Sequence, residues 1–390
     1  MGHPPVTPAL MRAFSLRWSP DSGWSDAPDI GVQTDVQLLL AFGPVKAPPA
    51  AWYAQVALRW PGARLVYATA GGQIDALDVV DDFVVVTGLA FASAAVRVIE
   101  HDGAGTTADI DIGRTLGRDI ASSAGVRHVL LFLDGLHING AAFLHGMADT
   151  VPRGVTVSGG LASDGVAFMT TGLGVDGPPR ERRVVAVTLS GESLAISTGS
   201  GGGWEPFGPE RVISRSTSTT VFELDDQRAL DVYRRYLGDL AAELPGSALL
   251  FPLALTPTDG GPTVVRTILG IDESAGSLRF AGDMPEGYKV RLMRATKDSL
   301  LDGAAQAAQD ARDGMRGVAA SAMLCVSCIG RRAVLRSRIA EEIDEVSQFA
   351  PGAVVTGYYS NGEIAPPAGQ PGMMSLLHNQ TMTVTAIGER

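Results

Sequence analysis

The strongest constraint on this 390-residue chain is that it repeats itself. Pro61-Gly62-Ala63 leads through a short apolar run to Gly72-Gln73-Ile74, and Pro351-Gly352-Ala353 leads in the same way to Gly362-Glu363-Ile364. The two segments align over fourteen positions without a gap, five of them identical. Each follows an apolar run ending in glycine, Val36–Gly43 and Ala322–Gly330, and then a helical stretch. The second helix is the clearer, with Val334, Leu335, Ile339, Ile343, Val346 and Phe349 at helical spacing between Arg332 and Ala350. A third copy runs from Val129–Asp134 through Ala141, Leu144 and Met147 to Val151-Pro152-Arg153-Gly154 and Val155–Gly160. Strand, helix, Pro-Gly turn and strand make a βαβ unit, which closes as a right-handed parallel crossover. The expected fold is therefore α/β to α+β, a duplicated two-domain architecture of mixed sheets flanked by helices.

Between the units, Asp82–Gly88, Ala94–Glu100 and Val184–Leu189 are Val- and Ile-rich runs bounded by turn residues, the pattern of antiparallel strands. Gly199–Gly203 is the most glycine-dense segment and marks the domain boundary. The division that follows is an N-terminal extension over 1–33 and two domains over 34–203 and 204–390. Helices are expected over Gln227–Leu244 and Lys297–Gly317.

Composition narrows the function. Thirty-one Lys and Arg against 42 Asp and Glu leave a net charge of −11. Nucleic-acid binding rests on cationic contacts to phosphate, so that class is excluded. Hydrophobic residues, at 45%, suffice for a real core. No long apolar span and no secretory start are visible, so no membrane insertion and a cytoplasmic location are expected. No Walker, dinucleotide or nucleophile-elbow signature is present, and no enzyme is read from the sequence.

Candidate binding residues cluster at strand ends, where open α/β sheets hold ligands. Thr69 with Gly71 and Gly72, and Gly159 and Gly160 with Ser163 and Asp164, form two such loops. Glycine lets backbone N–H groups approach a carboxylate, while Asp164 or Glu363 can meet an ammonium. Arg266 and Arg331, with Arg294 and Arg332 beside them in the count, are candidate carboxylate clamps. Tyr358 and Tyr359 alternate along a strand, so only one can face a pocket. His378 and Asn379 open a polar run after Leu376-Leu377. Cys325 and Cys328 stand three apart in an apolar strand and point to opposite faces, so a disulfide would need backbone distortion. Two buried thiols are the simpler reading, and an enzyme with either as nucleophile beside His378 is the least supported alternative.

These residues resemble the FIST family over most of the chain. Gly203-Trp204-Glu205-Pro206-Phe207-Gly208-Pro209, Phe222-Glu223-Leu224-Asp225, Ala229-Leu230-Asp231-Val232-Tyr233 and Tyr236-Leu237-Gly238 look like successive blocks of its C-terminal domain. Gly330-Arg331-Arg332, Gly362-Glu363-Ile364 and Leu377-His378-Asn379-Gln380-Thr381-Met382 look like its closing signatures. Gly71-Gly72-Gln73-Ile74 and Gly159-Gly160-Leu161-Ala162 resemble marks of its N-terminal domain, which usually carries Glu where Gln73 stands. The resemblance implies a sensory module that binds a small ligand such as an amino acid, without a cofactor, and signals to a histidine kinase or chemoreceptor. From the chain's length, that partner is expected to be a separate protein. A subset of the family is implicated in haem-based nitric oxide sensing, and His378 is the axial ligand that this alternative implies.

Overall fold

The computed structural model describes residues 11–25, 33–46, 48–76, 78–103 and 107–390. The fold is α+β, with mixed sheets and flanking helices. After β1 (Arg12–Ser19), the first unit comprises β2 (Leu38–Gly43), α1 (Ala50–Arg59), β3 (Arg64–Thr69), β4 (Gln73–Asp75), β5 (Val84–Ala90) and β6 (Ala95–Asp102). Helix α2 (Asp109–Ala121) leads to the second: β7 (Val126–Leu133), α3 (Gly140–Ala148), β8 (Thr156–Leu161), β9 (Leu173–Val175), β10 (Arg183–Ser190) and β11 (Leu194–Gly201). An inserted segment carrying α4 (Ala229–Leu237) follows, then α5 (Lys297–Gly314). The third unit comprises β12 (Ala322–Cys328), α6 (Ile329–Leu335), α7 (Ile339–Ser347), β13 (Val354–Ser360), β14 (Glu363–Ala365), β15 (Leu376–His378) and β16 (Met382–Glu389).

Each unit nucleates one six-stranded sheet on the same plan. Its first two long strands are parallel: β2 with β3, β7 with β8, β12 with β13. A long antiparallel strand, β5, β10 or β16, flanks the first of them. The short strand of each unit is given away. Strand β4 joins the third sheet beside β13, β14 joins the second beside β8, and β9 joins the first beside β3. Donation therefore runs in a closed cycle. The outer strands follow suit, β6 pairing with β10, β11 with β16, and β1 with β5. The segment over 1–33, expected as an extension, thus contributes a strand to the first sheet.

Tyr67, Gly159 and Gly357 hold the same place in the three sheets, opposite Gly174, Ile364 and Ile74. The gapless alignment of 61–74 with 351–364 sets Tyr67 on Gly357 and Ile74 on Ile364, which is also the structural equivalence. Gly159 and Gly357 have φ of 142° and 150°, and a Cβ there would run into the carbonyl oxygens of Leu131 and Cys325. Only glycine fits that conformation and that approach.

The inner faces of the three sheets share one core, in which Phe42, Phe132 and Tyr358 meet. Their outer faces are covered separately, the first by α1, the second by α2 and α3, and the third by α5 and α7. Helix α5 starts on a Thr296–Ser299 capping box, a device that contributes about 1 kcal/mol. Its alanine face lies so close to β11 that a Cβ at Gly199 or Gly201 would strike the carbonyls of Ala307 and Gly303.

Residues 205–294 build a separate nine-stranded antiparallel sheet with its own core around α4. Helix α4 is shorter than the expected Gln227–Leu244 because Gly238, at φ 56°, ends it and a 3₁₀ turn follows. The helix expected over Arg332–Ala350 is likewise broken, at Arg336 with φ 53°.

Candidate functional site

The strand-end loops converge at one end of the ring, and there they bind one another. Thr69 N–H donates to Gly172 O at 3.0 Å, Leu161 N–H to Gly362 O at 2.8 Å, and Tyr359 N–H to Gly72 O at 2.9 Å. These three bonds are equivalent under the repeat. Gly71 N–H donates to Tyr359 O and Ser163 N–H to Thr69 O, both at 2.9 Å. Of the amides expected to receive a ligand carboxylate, those of Thr69, Gly71 and Ser163 are thus satisfied by backbone. A Cβ at Gly160 would lie 2.6 Å from Val326 Cγ1, and Ser163 Oγ donates to Asn361 Oδ1 at 2.7 Å. Asp164 accepts from Phe168, Met169 and Thr170 N–H at 3.0, 2.6 and 2.9 Å, holding its own loop. Arg332 caps Gly71 O and pairs with Asp81 at 2.7 Å.

The β14–β15 hairpin sets Glu363 opposite His378. Glu363 is fully buried, takes no salt bridge among the described residues, and accepts from Ser360 Oγ at 2.6 Å and from Thr381 N–H and Oγ1 at 3.1 and 3.0 Å. Burial outweighs these donors and pushes its pKa up to about 8, so the acid is largely protonated at neutral pH. His378 donates from Nε2 to Ala365 O at 3.0 Å, and burial lowers its pKa to about 4. The ring is therefore a neutral donor. Asn379 Oδ1 accepts from Thr267 N–H at 3.4 Å, while Asn379 Nδ2, Gln380 Oε1 and Tyr358 OH have no partner among the described residues. Haem needs an imidazole nitrogen facing an apolar slot. His378 spends Nε2 on a carbonyl and lines none of these five cavities, so no open slot among the described residues meets its remaining nitrogen, Nδ1, and these residues do not fit that group.

Arg331 is committed to the fold. It is fully buried, donates from Nε to Glu342 Oε1 at 2.7 Å, from Nη2 to Leu300 O at 2.6 Å and from Nη1 to Gly202 O at 2.5 Å. Ser327 and Tyr359 complete the shell of Glu342 at 3.1 and 2.6 Å. Cys325 and Cys328 are free and buried in β12. Burial, reinforced at Cys325 by the nearby Glu342 carboxylate, drives both thiols well up, the opposite of what a nucleophile needs.

Arg266 differs from Arg331. It ends an inserted-sheet strand, Val264–Arg266, and lines a cavity of about 650 Å³ between that sheet, α3 and the loop joining β14 to β15. Only 6% exposed, it donates from Nη1 to Leu377 O at 2.9 Å and Val265 O at 3.3 Å. Its Nε has no partner, and no carboxylate pairs with it among the described residues. Burial lowers its pKa to about 10, partly offset by Asp283, so the guanidinium keeps its charge at neutral pH. A buried cation with no direct ion pair, only the field of Asp283, is costly, and such sites are where anions bind. Met373 and Met374, half exposed, stand at the same cavity. Sequence reasoning missed this wall; its signal was the methionine pair after the Pro/Gly-rich run Pro366–Gly372.

The FIST N domain model matches residues 37–227 and the FIST C domain model residues 229–366. The chain belongs to the FIST family. FIST domains are sensory domains of signal transduction, and the two-domain layout is the family's. The two FIST segments meet at residue 228, inside the inserted sheet, so the ring of three units draws on both. No curated protein matches the chain. Among the described residues of this FIST protein, no helix is long and apolar enough to cross a membrane.

Proposed function

We propose that this FIST protein is a ligand-responsive sensor whose input site is the Arg266 cavity and whose ligand carries a carboxylate. The observation that supports this reading is a charged guanidinium, nine-tenths buried at a cavity wall, with no direct ion pair among the described residues. Ligand amino acids and related metabolites meet that requirement. Arg266 already ties the inserted sheet to the β14–β15 hairpin through Leu377 O. A carboxylate held there bridges the two parts and favours one of their relative positions, and a separate partner, such as a histidine kinase or chemoreceptor, reads that shift.

Thermal unfolding of the full chain with a panel of amino acids and small carboxylates tests the proposal. Ligands that bind the native state raise Tm, by about 2.7 kcal/mol of stability at a hundredfold excess over Kd. Arg266→Gln is expected to weaken the response at least tenfold. A panel in which no carboxylate moves Tm at millimolar concentration removes the proposal.

A further inference from the structure

We infer that the ligand of the Arg266 cavity is an amphiphilic monocarboxylate, a carboxylate head on an apolar chain or aryl body, rather than a free amino acid. The inference rests on the reading of this cavity as the input site. Its first support is size: about 650 Å³ falls in the range of about 300–1,000 Å³ that encloses drug-sized molecules, several times the bulk of an amino acid.

Its second is the wall. Leu144 of α3, Leu255 and Val264 of the inserted sheet, Tyr288, and Met373 and Met374 of the loop line it. Methionine side chains are flexible and polarisable and adapt to an apolar body of variable shape.

Its third is charge. Among the described residues Arg266 is the only Arg or Lys at the cavity, which suits one anionic head. The carboxylates there already serve the protein. Asp149 pairs with Arg114 at 3.1 Å, Asp259 accepts from Gly261 N–H at 3.1 Å, and Asp283 accepts from Asn139 Nδ2 at 2.8 Å and Ser218 Oγ at 3.2 Å. A ligand ammonium beside Arg266 would lie next to a cation, with the Asp149 carboxylate already neutralised by Arg114 and Asp259 and Asp283 tied to neutral donors of the protein.

Calorimetric titration of the full chain with hexanoate, octanoate and decanoate, below micellar concentrations, tests this. Each added methylene is expected to tighten Kd about fourfold, the factor that about 0.8 kcal/mol per buried methylene converts to. Decanol, with the same chain and no carboxylate, is expected to bind at least tenfold more weakly than decanoate. Arg266→Gln is expected to cost decanoate at least tenfold. Should that variant unfold, the decanoate–decanol comparison on the unaltered chain carries the charge test. Met374→Glu, at a half-exposed position, is expected to fold and to weaken decanoate. An affinity independent of chain length, or equal for decanol and decanoate, overturns the inference. If amino acids raise Tm while alkanoates do not, the ligand class falls and the sensory site stands. If neither binds, both fall.

Discussion

Gln73 and Glu363 occupy the same place in two copies of one repeat. Each follows a glycine, each begins a short strand given to another unit, and each is at most 1% exposed. Their surroundings are opposite. The Gln73 amide, oriented by its neighbours, donates to Val80 O at 2.5 Å and faces Asp81 O and Phe83 O at 3.2 Å, three acceptors. Glu363 faces donors, the Ser360 hydroxyl and the Thr381 N–H and hydroxyl. One backbone plan thus carries two polarities, and the loop after the donated strand decides which. A carbonyl cage selects an amide, and a donor cage selects carboxyl oxygens.

Exchanging the two chemistries is the strongest way to break this contrast. Gln73→Glu puts a carboxyl among three carbonyls, where ionisation is opposed by burial and repulsion. The expected loss is about 3–5 kcal/mol near pH 8, the cost of an unpaired buried charge, with partial recovery at pH 5 as the acid protonates. Urea unfolding followed by tryptophan fluorescence at both pH values measures it. A variant as stable as the parent at pH 8 would mean that the cage is adaptable and the contrast superficial.

The reverse change sharpens it. The folded-state pKa of Glu363, about 8, lies above the 4.5 of an exposed glutamate. The folded form therefore holds a proton that the unfolded chain releases, and stability declines as pH rises from about 4.5 to 8. Glu363→Gln copies the protonated acid, its amide oxygen toward Thr381 and its NH₂ toward Ser360. It is expected to abolish this decline and to exceed the parent by about 2–4 kcal/mol at pH 8, while matching it near pH 5. An unchanged slope between pH 5 and 8 would assign the decline to another group.

How much of this was legible in the sequence depends on range. Strand, helix, Pro-Gly turn and strand are local, and the alignment of 61–74 with 351–364 already named the structural equivalents. The exchange of β4, β9 and β14 is not local. A three-residue strand carries no pattern of its own, and its partner is set by closure of the ring. The glycine loops were visible as strand ends, but the Thr69, Gly71 and Ser163 amides are satisfied by carbonyls from other units, which no single segment shows. Arg266 and Arg331 look alike along the chain. What separates them is Glu342, eleven residues beyond Arg331 and brought back onto it by α7, against no ion pair for Arg266 among the described residues. That spacing was a readable signal; the missing ion pair of Arg266 was not, because it is a property of three elements distant in sequence.

The smallest expected effect concerns the other member of the Glu363 hairpin. His378 titrates in the opposite sense, its folded pKa of about 4 lying below the 6.5 of an exposed histidine. The unfolded chain takes up a proton that the buried ring refuses, so stability is present above about pH 6.5 and is lost as pH falls toward 4. His378→Gln keeps a donor for Ala365 O and removes the titration. It is expected to flatten the acid limb by about 2 kcal/mol between pH 6.5 and 4.5, against little change at pH 7.5. His128, held by Thr156 and Ser158 at 2.6 and 2.9 Å with its pKa lowered to about 3, keeps the remaining acid limb in place. An acid limb identical in parent and variant would show that His378 is reached by water or by its proton before unfolding. The hairpin would then open locally at low pH, and the pairing of a protonated acid with a neutral imidazole across β14 and β15 would be a feature of the closed state alone.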